Sequence, residues 1–380
     1  MYRKISNIGL VHDYFTQQGG AERVAEQLYD ILGRPDVYAT VAFEDVLPRG
    51  LADASIGTTW MQKLPALRRL HRLYFPIYPL GISSLDLSQY DVVVSSSSSY
   101  AKGVRTRSDA THICYCHTPT RWVWRYRDYA ERENFGVSKR IILPLVLAGL
   151  RVWDQNAARQ PDQFVANSLV VAERIRDFYG RDAVIIPPPI EINRFHISSS
   201  QDDYYLILSR LVSYKRIDLA IGACNLLNRR LVIIGDGPDR ARLERMAGPS
   251  IQFMGRLSDA ESAKFASRCR ALLFPGEEDF GMVPLEIASA GRPTIAFRAG
   301  GAVETIVEGV TGTFFEQATP ESLADAILES ESRSWSATVL RNHAARYDLA
   351  VFRRRFEDLL SSMGITIPEH SDLMVTRAAG

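Results

Sequence analysis

Short runs of β-branched and aromatic residues alternate with longer stretches whose apolar positions fall three and four apart. The short runs in the first half are Ile8 to His12, Val37 to Ala42, Val92 to Ser95, Thr111 to Tyr115, Phe164 to Ala166 and Val184 to Ile186. Ala21, Val24, Leu28 and Ile31 exemplify the longer pattern, since they fit one face of a helix. Strands alternating with amphipathic helices predict a parallel sheet with crossover helices.

The rhythm breaks once. Pro187-Pro188-Pro189 can continue neither strand nor helix, and the polar run Ser198 to Asp203 follows it, so a domain boundary is predicted here. The alternation then restarts with Tyr204 to Leu208, Leu231 to Ile234, Ile251 to Phe253, Ala271 to Phe274, Thr294 to Phe297 and Thr313 to Phe315. A chain of 380 residues is long for one core. The expected organisation is therefore α/β, with two doubly wound domains spanning 1–187 and 188–347. Ligands of such sheets bind beyond the carboxyl ends of the strands, and two facing sheets would gather the motifs below into one cleft.

Composition narrows the function classes. With 45 basic against 44 acidic residues, nothing in the total charge points to nucleic acid. The four cysteines, Cys114, Cys116, Cys224 and Cys269, lie in apolar runs with no secretion signal ahead of them, which predicts a reducing, cytoplasmic location. Cys114 and Cys116 stand beside His112 and His117, yet their one-residue spacing is wrong for structural zinc, and they read as core cysteines. The longest apolar stretch, Ile141 to Leu150, is about half of what a membrane-spanning helix needs.

The densest chemistry lies in Pro275-Gly276-Glu277-Glu278-Asp279-Phe280-Gly281-Met282-Val283-Pro284-Leu285-Glu286. A buried strand precedes it, and Met282 to Ala290 reads as a helix with Pro284 in its first turn and Gly291 ending it. The turn between them is thus a helix N-terminus, where amide groups and the helix dipole favour a phosphate and Gly281 permits close approach. Glu278 and Glu286 could then accept hydrogen bonds from sugar hydroxyls on either side of a diphosphate. Arg210 and Lys215, following the strand Tyr204 to Leu208, supply a guanidinium fork and an ammonium suited to two phosphates. Alone they would read as a solvated pair at a helix start. The glutamates in the same half favour function.

These segments resemble the retaining glycosyltransferases of family 4. Glu278 to Glu286 with the Phe280-Gly281 turn is similar to the paired-glutamate motif of that family. Ser209-Arg210-Leu211-Val212-Ser213-Tyr214-Lys215 is similar to its diphosphate motif, Gly300-Gly301-Ala302-Val303-Glu304 to its following Gly-Gly turn, and Cys116-His117-Thr118-Pro119 to its N-terminal histidine motif. The resemblance implies the GT-B fold: two facing Rossmann-like domains, the first on the acceptor side and the second binding the nucleotide sugar. It also implies a helix over 348–364 that returns to the first domain, here Leu349 to Met363; the tail over 365–380 lacks periodicity and is expected to be mobile. It implies that His117 contacts the transferred sugar near its anomeric carbon and that Arg210, Lys215 and Glu278 serve catalysis. Glu286 would take the ribose, and Phe280, Gly281, Met282 and Val283 would line the donor.

No Asp-x-Asp motif occurs in the chain, so Arg210 and Lys215 are expected to replace a metal, and no metal cofactor is expected. Gly19-Gly20-Ala21-Glu22-Arg23 brings paired glycines to a helix start; a place near the donor phosphate and a plain helix start fit it equally. Gly235-Asp236-Gly237-Pro238 lacks the third glycine of a dinucleotide fingerprint, with Arg240 in that position, and reads as a turn near the donor base. Glu304 ranks below the other glutamates because a carboxylate at a helix start serves the dipole without a ligand. Serines 95 to 99 are expected to satisfy turn amides.

The segment Lys63 to Tyr78 interleaves Arg68, Arg69 and Arg72 with Leu64, Leu67, Leu70, Leu73 and Phe75. It fits either an anionic membrane surface or an ordinary surface helix with arginines lying along it. Arg121-Trp122-Val123-Trp124-Arg125-Tyr126 departs from the family pattern near the acceptor. The opening Leu10-Val11-His12-Asp13-Tyr14 with Gly19-Gly20-Ala21-Glu22-Arg23, together with Cys116-His117-Thr118-Pro119, is most similar to bacterial polysaccharide mannosyltransferases. GDP-mannose is therefore the first donor expected, UDP-sugars remain open, and the expected partner is a lipid-linked glycan acceptor.

Overall fold

The structure is a computed structural model that describes residues 3–4, 7–124 and 137–367. The chain divides into two units, Met1–Ile186 with Arg353–Gly380, and Pro187–Phe352. In the first, β1 (Arg3–Lys4) is followed by seven strands that pair in parallel: β2 (Ile8–His12), β3 (Asp36–Ala39), β4 (Ile56–Thr58), β5 (Val92–Ser97), β6 (Thr111–Cys116), β7 (Gln163–Ala166) and β8 (Ala183–Ile185). Their order across the sheet is β4-β3-β2-β5-β6-β7-β8.

The second unit holds six parallel strands, β9 (Tyr205–Leu208), β10 (Leu231–Ile234), β11 (Ile251–Gly255), β12 (Leu272–Phe274), β13 (Thr294–Phe297) and β14 (Gly312–Phe315), in the order β11-β10-β9-β12-β13-β14. Alternation along these strands explains their apolar continuity. Tyr205, Ile207, Leu231, Ile233 and Leu273 pack with helices Ile217–Leu227 and Pro320–Glu331. Leu206, Val232, Ile234, Leu272 and Phe274 pack on the other face with helices Asp259–Arg268 and Met282–Ser289. Helices on both faces bury the central strands, as expected of a parallel sheet, while the edge strand β11 stays partly exposed. Both units are Rossmann-like.

Strand order fixes where a ligand belongs. In each sheet the chain first builds outward one way and then returns to the opposite side, so β2 and β5 flank the reversal in the first unit and β9 and β12 in the second. Beyond the carboxyl ends of such strand pairs the two following loops diverge and leave a crevice.

Three expectations are corrected. Lys63 to Tyr78 is not one helix: it breaks into the turns Trp60–Lys63, Leu67–Leu70 and Phe75–Ile77, followed by Tyr78–Ile82. Pro65 and Pro76 interrupt it, and Ala66 takes a left-handed φ of 47°. Strand β5 runs two residues past Ser95, and the Ser95 and Ser96 hydroxyls meet His112 and His117, while Ser97 Oγ accepts from the Lys102 N–H in the turn, as expected of the run. Structure also continues into the expected tail, where β15 (Ile365–Thr366) pairs in parallel with β1.

Helix Leu349–Ser362 spans the division, its first turn grouped with the second unit and the rest with the first. Residues 368–380, and Arg125 and Tyr126 of the aromatic segment, lie outside the described residues. All four cysteines are free and buried, and burial pushes the thiols of Cys114, Cys224 and Cys269 up to about 12. Among the described residues no helix is long and apolar enough to cross a membrane, and no group of three or more His, Cys, Asp or Glu residues could hold a metal ion.

Candidate active site

Lys215 ends a 3-10 turn, Ser213–Lys215, just after β9, and Arg216 at φ 50° swings the chain into helix Ile217–Leu227. Glu278 follows β12, the neighbouring strand. At this reversal point the Lys215 Nζ donates to Glu278 Oε1, forming an ion pair whose side chains are 14% and 22% exposed. Gly276 makes the meeting possible: a Cβ there would lie 2.8 Å from both the Lys215 Cα and the Tyr214 carbonyl oxygen. Lys215 Nζ also sits 5.3 Å from the centroid of the Tyr214 ring.

Gly281 caps helix Met282–Ser289 at φ 84°, a left-handed conformation that glycine adopts without penalty. The helix follows β12, so its first turn starts from the same carboxyl end of the sheet as the loops of Lys215 and Glu278. Met282 and Val283 are half-buried beside it. The Phe280 side chain is instead buried in a cluster with Leu285, Ala288 and Leu340, so its donor contact could come only from its main chain. Gly300 and Gly301 support the acidic loop from behind: the Gly301 N–H donates to Glu278 O at 2.8 Å, and a Cβ would fall 2.2 Å from Glu278 O at Gly300 and 2.3 Å from the Phe280 Cα at Gly301. The Gly-Gly turn thus has a mechanical role.

Arg210 is exposed on the loop after β9 and reaches the Tyr214 hydroxyl at 3.5 Å. Gly235, after β10, packs its backbone against that loop, since a Cβ there would lie 1.9 Å from Ser209 O. Glu286 sits in the second turn of its helix, 5% exposed, and is met by Arg194, whose Nη2 is 3.4 Å from its Oε1. Arg194 Nη1 lies 3.5 Å from Asp259 Oδ2. Arg194 escaped the sequence reading because it is 92 residues from Glu286. Its only signal is the turn Ile192–Arg194 that follows the triple proline.

In the first unit, Gly19 is the N-cap of helix Gly20–Ile31 and lacks a capping side chain. A Cβ at Gly19 would meet Glu22 Oε2 at 2.8 Å. At the β2/β5 reversal, Ser96 Oγ lies 3.0 Å from His12 Nδ1 and 2.8 Å from His117 Nε2. One hydroxyl carries one proton, so Ser96 donates to one ring and accepts from the other. Burial pushes the His12 imidazole down to about 4, which keeps it neutral near pH 7. Asn167 Nδ2 donates to His117 O at 2.9 Å, fixing the loop that carries the histidine.

Two further residues escaped the sequence reading. The Asp13 carboxylate accepts from the backbone N–H groups of Ser98, Tyr100 and Ala101, so the turn after the serine run is held by an acid from the next strand. Asp154 pairs with Lys102 at 2.6 Å, both 1% exposed, and accepts from Thr120 Oγ1, Trp124 Nε1 and Tyr179 OH at 2.7 Å each. Burial alone would push the Lys102 ammonium down, but the Asp154 charge outweighs it and the net direction is upward. This network ties the chain on the C-terminal side of His117 to the long helix Val137–Ala157.

In sum, the second unit brings Lys215 and Glu278 into direct contact, with Arg210 and Gly235 on adjoining loops. Glu286 pairs with Arg194. His117, Gly19 and Gly20 follow β6 and β2 at the carboxyl ends of the first sheet.

Known proteins match this architecture. A family model described as Glycosyltransferase Family 4 matches residues 18–194, and one described as Glycosyl transferases group 1 matches residues 190–347. A GDP-mannose-dependent alpha-mannosyltransferase of Corynebacterium glutamicum is 27% identical over 216 residues, covering 52% of each chain. A GDP-mannose-dependent alpha-(1-6)-phosphatidylinositol dimannoside mannosyltransferase of Mycobacterium tuberculosis is 33% identical over 156 residues, 40% of each chain. The chain spans about half the length of the curated relatives it matches. Among solved structures, Anabaena Alr3699/HepE in complex with UDP and glucose superposes with a TM-score of 0.69 at 18% identity, covering 93% of this chain and 99% of that one. With one glycosyltransferase family model on each Rossmann-like sheet and a structural neighbour spanning both, the chain belongs to the family 4 glycosyltransferases of the GT-B fold.

Proposed function

We propose that this glycosyltransferase moves mannose from GDP-mannose, with retention and without a metal, to a lipid-linked oligosaccharide or polysaccharide precursor. The observation that carries the proposal is the Lys215–Glu278 pair at the β9/β12 reversal, beside the N-terminus of helix Met282–Ser289. When the C1–O bond of a nucleotide sugar breaks, negative charge develops on the departing diphosphate. Lys215, Arg210 and the helix-tip amides supply fixed positive charge for it, and such contacts in a water-poor site are each worth about 3 kcal/mol. Glu278 then turns from its lysine to the hydroxyls of the sugar, while Glu286 takes the ribose. For retention, the acceptor oxygen bonds C1 on the face the phosphate leaves, and a phosphate oxygen takes the acceptor proton. His117, with its ring steadied by Ser96, contacts the sugar near C1.

Mannose and GDP are favoured by the two mannosyltransferase relatives, and a lipid-bearing acceptor by the phosphatidylinositol dimannoside enzyme among them. Peripheral contact with the inner face of a cytoplasmic membrane fits the exposed Leu73 and Leu80 near Arg68, Arg69 and Arg72. A UDP-sugar donor is the second reading, favoured by the UDP and glucose bound to the Anabaena neighbour.

The test is release of nucleoside diphosphate from GDP-mannose, UDP-glucose and UDP-galactose in the presence of EDTA. Turnover of GDP-mannose that survives the chelator is expected. Turnover confined to a UDP-sugar would replace the donor assignment, an absolute need for magnesium or manganese would remove the metal-free mechanism, and binding without turnover would reduce the protein to a nucleotide-sugar binder.

A further inference from the structure

Glu286 is a carboxylate 5% exposed inside a helix of the second unit, and an ionised acid at that depth needs a counter-charge to be tolerated. Arg194 provides one. Its side chain is 12% exposed, its Nη2 lies 3.4 Å from Glu286 Oε1, and its Nη1 reaches Asp259 at the start of helix Asp259–Arg268, just past β11. Its Nε is buried and meets no acceptor among the described residues.

The guanidinium is held from several sides. Its carbon lies 4.6 Å from the centroid of the Phe195 ring, a cation–π contact. The Arg341 guanidinium binds the carbonyls of Ile192 and Phe195 on either side of Arg194, together with that of Ser289 in the helix carrying Glu286, at 2.7 to 3.4 Å. Ile190 and Ile192 pack on Leu285 and Ala288 of the same helix. The strand-free segment that brings the chain into the second unit is thereby riveted to the helix that carries the acid. The backbone on either side of Arg194 is thus fixed to that helix, and the guanidinium rests between Glu286, Asp259 and the Phe195 ring.

We infer that Arg194 is a positioning residue for nucleotide binding: it fixes the orientation of the Glu286 carboxylate so that the acid can accept hydrogen bonds from the donor ribose hydroxyls. The inference rests on the reading of Glu286 as the ribose acceptor. A purely structural ion pair would hold the fold equally well, yet it would not make affinity depend on the hydroxyls of the ribose.

That dependence is the test. Dissociation constants of the full chain are measured by calorimetry for GDP and 2′,3′-dideoxy-GDP, and for UDP and 2′,3′-dideoxy-UDP, in wild type, Arg194→Met, Arg194→Lys and Glu286→Gln. Hydrogen bonds to a charged group predict that wild type favours the ribonucleotide by roughly tenfold or more. Arg194→Met compresses that preference to roughly threefold or less, chiefly by weakening the ribonucleotide, and Arg194→Lys restores part of it. Equal weakening of both nucleotides by Arg194→Met, or an unchanged preference, overturns the inference while Glu286→Gln still abolishes discrimination. Should Arg194→Met fail to fold, an unchanged preference in Arg194→Lys overturns it instead. If wild type itself ignores the ribose hydroxyls, or Glu286→Gln keeps the preference, the ribose assignment of Glu286 fails and the inference falls with it.

Discussion

On the proposed mechanism, replacing Lys215 by alanine separates catalysis from stability, since the ammonium would serve the two on different scales. Its partner Glu278 is about four-fifths buried, so the pair lies between a surface ion pair, worth at most about 1 kcal/mol, and a fully buried one, whose breakage costs about 3 to 5 kcal/mol. An intermediate loss of roughly 1 to 2 kcal/mol lowers Tm by roughly 2 to 8 °C in units of this size and leaves the protein folded at 25 °C. The reacting donor loses more. A unit charge about 4 Å from a phosphate oxygen at an effective dielectric near 20 interacts by about 4 kcal/mol, and the mutational benchmark for such a donor is about 3 kcal/mol. That is roughly 100-fold or more in kcat/KM. Glu278→Ala should lose a similar factor, and the double variant much less than the product of the two, since the residues act as a unit. The assay is initial release of nucleoside diphosphate over a range of donor concentrations, paired with thermal unfolding. Turnover of both single variants within about tenfold of wild type, with Tm values in the stated range, would refute the reasoning.

The remaining predictions concern pH and the glycine contacts. Burial pushes His12 down to about 4 and His112 to about 3, so the folded state resists their protonation; the stability they contribute is present above pH 6.5 and is lost as pH falls toward those values. Each should cost about 2 kcal/mol between pH 7 and pH 5, read as a falling urea midpoint, and a His112→Gln variant should lose its part of that slope. A flat profile over that interval would contradict the burial argument. Gly301→Ala should lower stability by roughly 1 to 3 kcal/mol and depress turnover, since its methyl would collide with the Phe280 backbone. Gly149→Ala, with nothing within 4 Å of its added Cβ in an exposed helical position, should raise stability by roughly 0.5 to 1 kcal/mol. Differential scanning fluorimetry of the two variants decides both signs.

The strands were legible because a sheet covered on both faces demands unbroken apolar runs, and β2, β10 and β13 begin and end on the residues where those runs do. The contact of Lys215 with Glu278 was approachable from sequence, since each follows a recognisable strand and the carboxyl ends of adjacent strands converge. Arg194 was not, because nothing local marks a loop arginine whose partner lies on a distant helix. Asp13 was hidden in the same way: its role is set by the register that places His12 beside Ser96, which brings the amides of the next loop to it. The Lys63 to Tyr78 segment misled in the opposite direction. Its leucines and arginines fall at helical spacing, but Pro65 and Pro76 overrule the spacing, and Leu67 and Tyr78 turn inward to the core of the first unit.

Gly276, Gly300 and Gly301 set main chain against main chain around the acidic loop, with only the Glu277 side chain also close, at Gly300. The loop therefore has no slack through which a single substitution could slide the acid relative to the ammonium, and these turns should soften together rather than one at a time. On the proposed donor site, an engineer seeking a different sugar would leave that frame untouched and vary the side chains hung from it, Met282 and Val283 first.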